Sequence, residues 1–184
     1  MLGLKRGIVK LLPHDAEWER IAEETIAELR DILGSAAVDI QHVGSTSIKT
    51  IAAKPIIDIA VAVERFEDAL NRLCDLEAHG YFRRNPDNVG EIFLSCVDNV
   101  LNTRTHHIHI VLHNDRRWRD YIFFRDCLNT HPDAAAEYER LKLGLMEEYK
   151  NDRLSYTEGK AEFIEKILNL REGRENDRAC ENIP

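Results

Sequence analysis

The chain has 184 residues, 43% hydrophobic and 32% charged, with a formal net charge of −8. That length fits one domain, the acidic balance disfavours nonspecific nucleic-acid binding because such binding needs a basic face, and no apolar run is long enough to cross a bilayer. The N-terminal MLGLKRGIVKLLPHD has too short an apolar core for a secretory signal, which predicts a cytoplasmic protein. Its four cysteines, Cys74, Cys96, Cys127 and Cys180, have neither zinc-ribbon nor redox-pair spacing and are expected to be reduced, the first three at least partly buried.

Residues 8–12 read as a short strand ending at Pro13. Asp15 then caps a helix whose apolar positions Trp18, Ile21, Ala22, Thr25, Ile26, Leu29, Ile32 and Leu33 recur at three- and four-residue steps until Gly34 stops it. Residues 38–43 form a strand that feeds a turn of small residues, and His42 at its end is placed to bond the turn or touch a ligand. In that turn Gly44 lets a ligand approach the backbone. Ser45 and Thr46 offer hydroxyl and N–H groups to an anion. Thr46 or Ser47 is expected to cap a short helix through Ile51, whose N-terminus favours phosphate.

Residues 56–63, IIDIAVAV, are rich in Ile and Val without a helical period and read as a buried strand. Alternation puts Ile57, Ile59, Val61 and Val63 on a core face, and Ile56, Asp58, Ala60 and Ala62 on the other. A carboxylate among small apolar side chains is costly unless water, a cation or a hydrogen-bond donor reaches it, so Asp58 is expected to look into a cleft. The plainer alternative is a tight turn and a core strand whose aspartate bonds nearby backbone.

A helix is predicted over residues 66–79, then strands at 81–84 and 91–97 separated by a turn at residues 85–88, with a polar connection over residues 98–103. In RTHHIHIVLH, residues 104–113, His106, Ile108, Ile110 and Leu112 share one face, and His107, His109 and Val111 the other. Two histidines two residues apart on a strand can coordinate a metal, bind phosphate or act as acid and base, or serve as satisfied polar groups on a half-exposed sheet. From residue 115 the pattern turns helical: one helix stops before Pro132, a second begins at Asp133, and a third runs from about Ser155 or Thr157 through Leu168. The one-domain reading covers residues 1–170, and the polar, aperiodic residues 171–184 read as a disordered tail.

The segments HVGSTS, AAKPIIDI, HHIHIV, FFRDCLNTHPDAAAEYERLK and SYTEGKAEFIEKIL together resemble the GrpB family (the UPF0157 type), assigned to the nucleotidyltransferase superfamily. The resemblance implies an α/β (α+β) fold in which a mixed sheet is flanked by helices and a helical C-terminal part packs on it. It implies a nucleoside triphosphate as small-molecule partner, a divalent metal (magnesium or manganese), and possible transfer of a nucleotidyl group to a small acceptor. On that reading Asp58, His107 and His109 are the catalytic set, with Glu91 as a further metal ligand. His42, Gly44, Ser45, Thr46, Lys54, Arg125, Lys142, Tyr156 and Lys160 would bind nucleotide, Tyr156 by stacking on a base.

Two departures from the expected pattern stand out. Lys49 and Thr50 replace a Pro-Gly pair, which adds a cation near the turn, and Ala60 stands where a second acid is expected two residues after Asp58. The alternatives are a noncatalytic nucleotide-binding module, an accessory domain such as those fused to a coenzyme A pathway kinase, and a metal-dependent hydrolase built on Asp58, His107 and His109.

Overall fold

A computed structural model describes residues 2–5, 7–84, 90–98 and 103–181, with residues 172–181 described by backbone alone. The expected turn at 85–88 and most of the connection at 98–103 lie outside the described residues, as does the side chain of Cys180. Six strands form one mixed sheet: β1 (Leu4–Lys5), β2 (Ala37–Val43), β3 (Ile57–Val63), β4 (Tyr81–Arg84), β5 (Ile92–Asp98) and β6 (Thr103–Leu112). Their order is β2-β3-β6-β5-β4, with β1 on β6, and the pairing of β3 with β6 is parallel while the others are antiparallel.

Helices cover both faces. On one side α1 (Glu17–Leu33) buries Trp18, Ala22, Leu29 and Leu33 against Ile57, Ile59, Val61 and Val63 of β3 and Ile108 and Ile110 of β6. Its register follows the apolar spacing read from the sequence, and Gly34 ends it; Asp15 accepts a bond from the Glu17 N–H at 3.1 Å. The short helices α2 (Phe66–Leu70) and α3 (Leu73–Ala78) add Ala69 and Leu76 to the same core. The other face of the sheet is covered by α4 (Arg116–Thr130), which lays Trp118 over Val43, Ala60, Ala62 and Val111. Beyond it α5 (Pro132–Glu148), α6 (Arg153–Glu158) and α7 (Ala161–Glu181) complete the helical part. A separate apolar cluster joins these helices, through Cys127, Leu128, Tyr138, Phe163 and Ile167, to Ile48 and Ile51 of the loop between β2 and β3.

Several local expectations change. Residues 8–12 make only an isolated bridge, Leu12 to Ala53, while the sheet takes Leu4–Lys5 instead. The turn after β2 is a single 3₁₀ turn, Ser45–Ser47, not a helix through Ile51, because Ile48 is extended and is drawn into the C-terminal apolar cluster. The helix expected over 66–79 breaks at Asn71 and Arg72, where a poor helix former meets a polar surface, and Cys74 is exposed rather than partly buried. The last predicted helix divides at Gly159, which lies against α5: a Cβ there would come within 2.5 Å of a Leu145 methyl. After that break α7 runs to Glu181, taking in residues 171–181 of the stretch that the sequence pattern reads as a tail.

A candidate metal and nucleotide cleft

The site begins with strand pairing. The parallel register of β3 and β6 sets Asp58 beside His107 and Ala60 beside His109, and alternation points all four to the face opposite the main core. Trp118 closes that face over Ala60 and Ala62, so only its Asp58 end is open. There a cavity of about 550 Å³, within the usual range for a nucleotide-sized ligand, is lined by Gly44 and Ser45, Asp58, both histidines, Glu91, and side chains from α4, α6 and α7.

Polar atoms converge at one end of it. His107 Nδ1 lies 3.0 Å from Asp58 Oδ1, and His109 Nε2 lies 3.5 Å from the same oxygen. Burial pushes the Asp58 carboxyl up, but the hydrogen bonds and charge of His107 and His109 outweigh it and hold the group well below the usual carboxylate range. His109 is also gripped from behind: its Nδ1 lies 2.5 Å from Glu91 Oε1 and 3.1 Å from the Tyr121 hydroxyl. Burial alone would lower the His109 imidazolium, yet its bonds to Asp58 and Glu91 raise it to about 9. Among the described residues, Asp58, His107 and His109 can bring one ligand atom each within 4.8 Å of the others, a spacing that could hold a metal ion. Glu91 is outside that set, turned toward His109 instead. His107 Nε2 is buried without a hydrogen-bond partner among the described residues, while Nδ1 is the ring nitrogen that faces Asp58.

The turn is shaped around the carboxylate. Gly44 has φ of 69°, and a Cβ on it would lie 2.5 Å from Asp58 Oδ2, so glycine is required on both conformational and steric grounds. Lys54, Lys160 and Arg153 line the same cavity. Lys54 Nζ sits 3.7 Å from the Tyr156 ring centroid and Lys160 Nζ 4.8 Å from it. Burial, then the charges of Lys160 and Arg153, lower Lys54 to about 7, and burial lowers Lys160 as well. Three basic side chains gathered on one cavity are suited to an anion. Tyr156 is itself 1% exposed and engaged by both ammonium groups, so its ring supports cations and is not an open platform for a base.

Other sequence candidates have structural roles away from the cavity. His42 is lowered to about 4 by burial, and its Nε2 lies 2.9 Å from the hydroxyl of Thr46, a fully buried residue that ties the turn to Ile56 O. Arg125 donates to Gln41 Oε1 at 2.9 Å and His42 O at 3.0 Å, fastening α4 to the end of β2. Lys142, 1% exposed, donates to Ala52 O. Lys49 is exposed and pairs with Glu19. Sequence reasoning passed over Arg117, Asp120, Tyr121 and Phe124, which line the cavity from one face of α4; their i, i+3, i+4, i+7 spacing was the available signal.

Comparison with known proteins places this architecture. The family model described as GrpB protein matches residues 8–170. The Glutamate-rich protein GrpB of Alkalihalophilus pseudofirmus is 40% identical over 172 residues, covering 92% of this chain and 99% of its own. The crystal structure of conserved protein GrpB from Enterococcus faecalis superposes with a TM-score of 0.80 at 29% identity, over 88% of this chain and 96% of that one. The Cid1 poly(U) polymerase in its MgATP-bound form matches 74% of this chain and 43% of its own, with a TM-score of 0.51 at 18% identity, a likeness of fold alone. On its sheet, its turn and the extent of these matches, the chain belongs to the GrpB family and has its nucleotidyltransferase-like fold.

Proposed function

We propose that the cleft binds a nucleoside triphosphate together with a divalent cation and transfers a nucleotidyl group to a small acceptor. The observation that carries this reading is the joint placement of Asp58, the Gly44-Ser45 turn and the Lys54–Lys160–Arg153 group around one cavity. Asp58, His107 and His109 would hold the cation, which would supply charge stabilisation to a phosphoryl group. The backbone of the Gly44-Ser45 turn would meet the phosphates, and the three cations would neutralise the rest of the polyanion. Aromatic lining from Tyr121, Phe124 and Tyr138 limits water around these charges, which strengthens their attraction for phosphate.

Ala60 favours a second reading, a nucleotide-binding module without transfer, because one strand carboxylate cannot hold the two ions usual in such chemistry. A thermal-shift series with each nucleoside triphosphate and manganese, followed by assay of pyrophosphate release, separates them. A stabilised protein that releases pyrophosphate supports transfer, stabilisation without release supports the binding module, and no stabilisation by any triphosphate overturns both. Asp58→Asn is expected to abolish the metal-dependent shift and, because it removes the charged partner of His107 and His109, to lower the ligand-free melting temperature as well while the chain still folds. A large loss of melting temperature with an unchanged ligand response would make Asp58 a structural acceptor instead.

A further inference from the structure

A magnesium pair is normally held by two or three carboxylates. Three carboxylates line the cleft, but they do not converge: Asp120 is paired with Arg171 at 2.7 Å, and among the described residues Asp58 alone of the three stands with other ligand atoms at metal-holding distance. Ala60 occupies the position two residues beyond Asp58 and is fully buried, with His109 as its partner on β6. Glu91 is engaged with His109 Nδ1 at 2.5 Å and receives the Tyr121 hydroxyl at 3.3 Å. What converges on the cavity is one carboxylate oxygen and two imidazole nitrogens, at 3.0 and 3.5 Å from that oxygen.

We propose that Asp58, His107 and His109 bind a single transition-metal ion of the manganese, iron(II), cobalt or zinc class in preference to magnesium, and that Glu91 is a positioning residue that orients His109 from outside the coordination shell. The proposal rests on the reading of this end of the cleft as a cation site and narrows it. Imidazole suits these ions, whereas magnesium takes oxygen ligands and water. Ligating histidines characteristically give their second ring nitrogen to a carboxylate, which fixes the tautomer and aims the first nitrogen. Glu91 stands in that relation to His109, whose Nε2 is thereby left facing Asp58. Two adjacent strands supply all three donors from one side, so the remaining coordination positions face the cavity and are open to a ligand. Gly44 keeps the second carboxylate oxygen clear, since any side chain there would sit on Asp58 Oδ2.

The test uses the metal-free full chain without nucleotide, titrated with cobalt(II), zinc, manganese and magnesium by calorimetry and by visible absorption for cobalt. One equivalent of cobalt is expected, with visible bands and with shifted exchangeable imidazole proton resonances from two histidines in the cobalt protein. Magnesium is expected to give no saturable binding. His107→Gln, His109→Gln and Asp58→Asn should each remove saturable cobalt binding, and Glu91→Gln should weaken it by about 10- to 100-fold at unchanged stoichiometry. Two equivalents of tightly bound magnesium, or cobalt resonances without histidine signals, would overturn the metal assignment even if a variant failed to fold. Parental cobalt affinity in Glu91→Gln would remove the positioning role. Because nucleotide is absent, cobalt binding by a protein that binds no triphosphate would uphold this proposal while sinking the proposed function, and triphosphate binding without cobalt binding would do the reverse.

Discussion

At the scale of single residues, Asp58 was readable because strand parity and the cost of a buried carboxylate both bear on it, and neither depends on distant contacts. Lys142 was not. On a helical wheel it is one more surface cation, and only the tertiary structure brings Ala52 O to its ammonium and leaves it 1% exposed beside the Tyr138 ring. Burial, with a smaller contribution from Lys160, lowers it from 10.5 to about 7. The unfolded chain then binds the extra proton between those two values, so the contribution of this group to stability rises with pH across that window and is unfavourable below it. Lys142→Met is therefore expected to flatten the alkaline rise, read as the difference between the two proteins in urea titrations from pH 6 to 10. Gly44 gives the opposite case: Gly44→Ala must hold a positive φ and press on Asp58, which should cost at least about 1–3 kcal/mol in the same titration and remove the metal-dependent nucleotide shift.

At the scale of elements, helix positions were well marked by periodicity and by Gly34 and Pro132, while the junctions depended on contacts invisible in the local pattern. The pairing of β3 with β6 is the clearest instance. Those strands are separated by two helices and two other strands, and the register that sets Asp58 against His107 depends on how that whole excursion packs. The Gly44-Ser45 turn likewise lacks the helix the sequence suggests, and α4 holds it in place. Asn129 of α4 donates to Ser47 O at 2.9 Å and accepts from the Lys49 N–H at 3.2 Å, spanning the turn from outside the cavity. Asn129→Ala removes both bonds at an exposed position where water can take their place, and should cost about 0.5–1.5 kcal/mol. If α4 positions the turn, triphosphate should also bind more weakly, while cobalt binding, whose three ligands stand on β3 and β6, stays at its parental value. Equal loss of both would show that the helix supports the sheet as a whole and not the turn.

For the whole molecule, the two faces of the sheet have distinct apolar clusters, and the question is whether they melt as one. The cluster beneath α1 contains Trp18, and the cluster beneath α4 contains Trp118; these are the only two tryptophans in the chain. The C-terminal helices also need chain from the N-terminal half: Ile48 and Ile51 are buried among Leu128, Tyr138 and Phe163, Lys142 bonds Ala52 O, and Asn129 bonds the turn. Removing the sheet would strip those helices of part of their core, and removing the helices would expose the small-residue face of β3. Trp18→Phe and Trp118→Phe each leave one reporter, so the fluorescence of the pair reads the two faces separately. Their urea transitions, each corrected for its own shift in stability against circular dichroism, are expected to coincide with the loss of helix. A Trp118 signal lost well before helix content falls would mean that the C-terminal helices undock from a persistent sheet. The cavity would then open in a partly folded state, and the triphosphate would act by holding two units together instead of filling a site built into one.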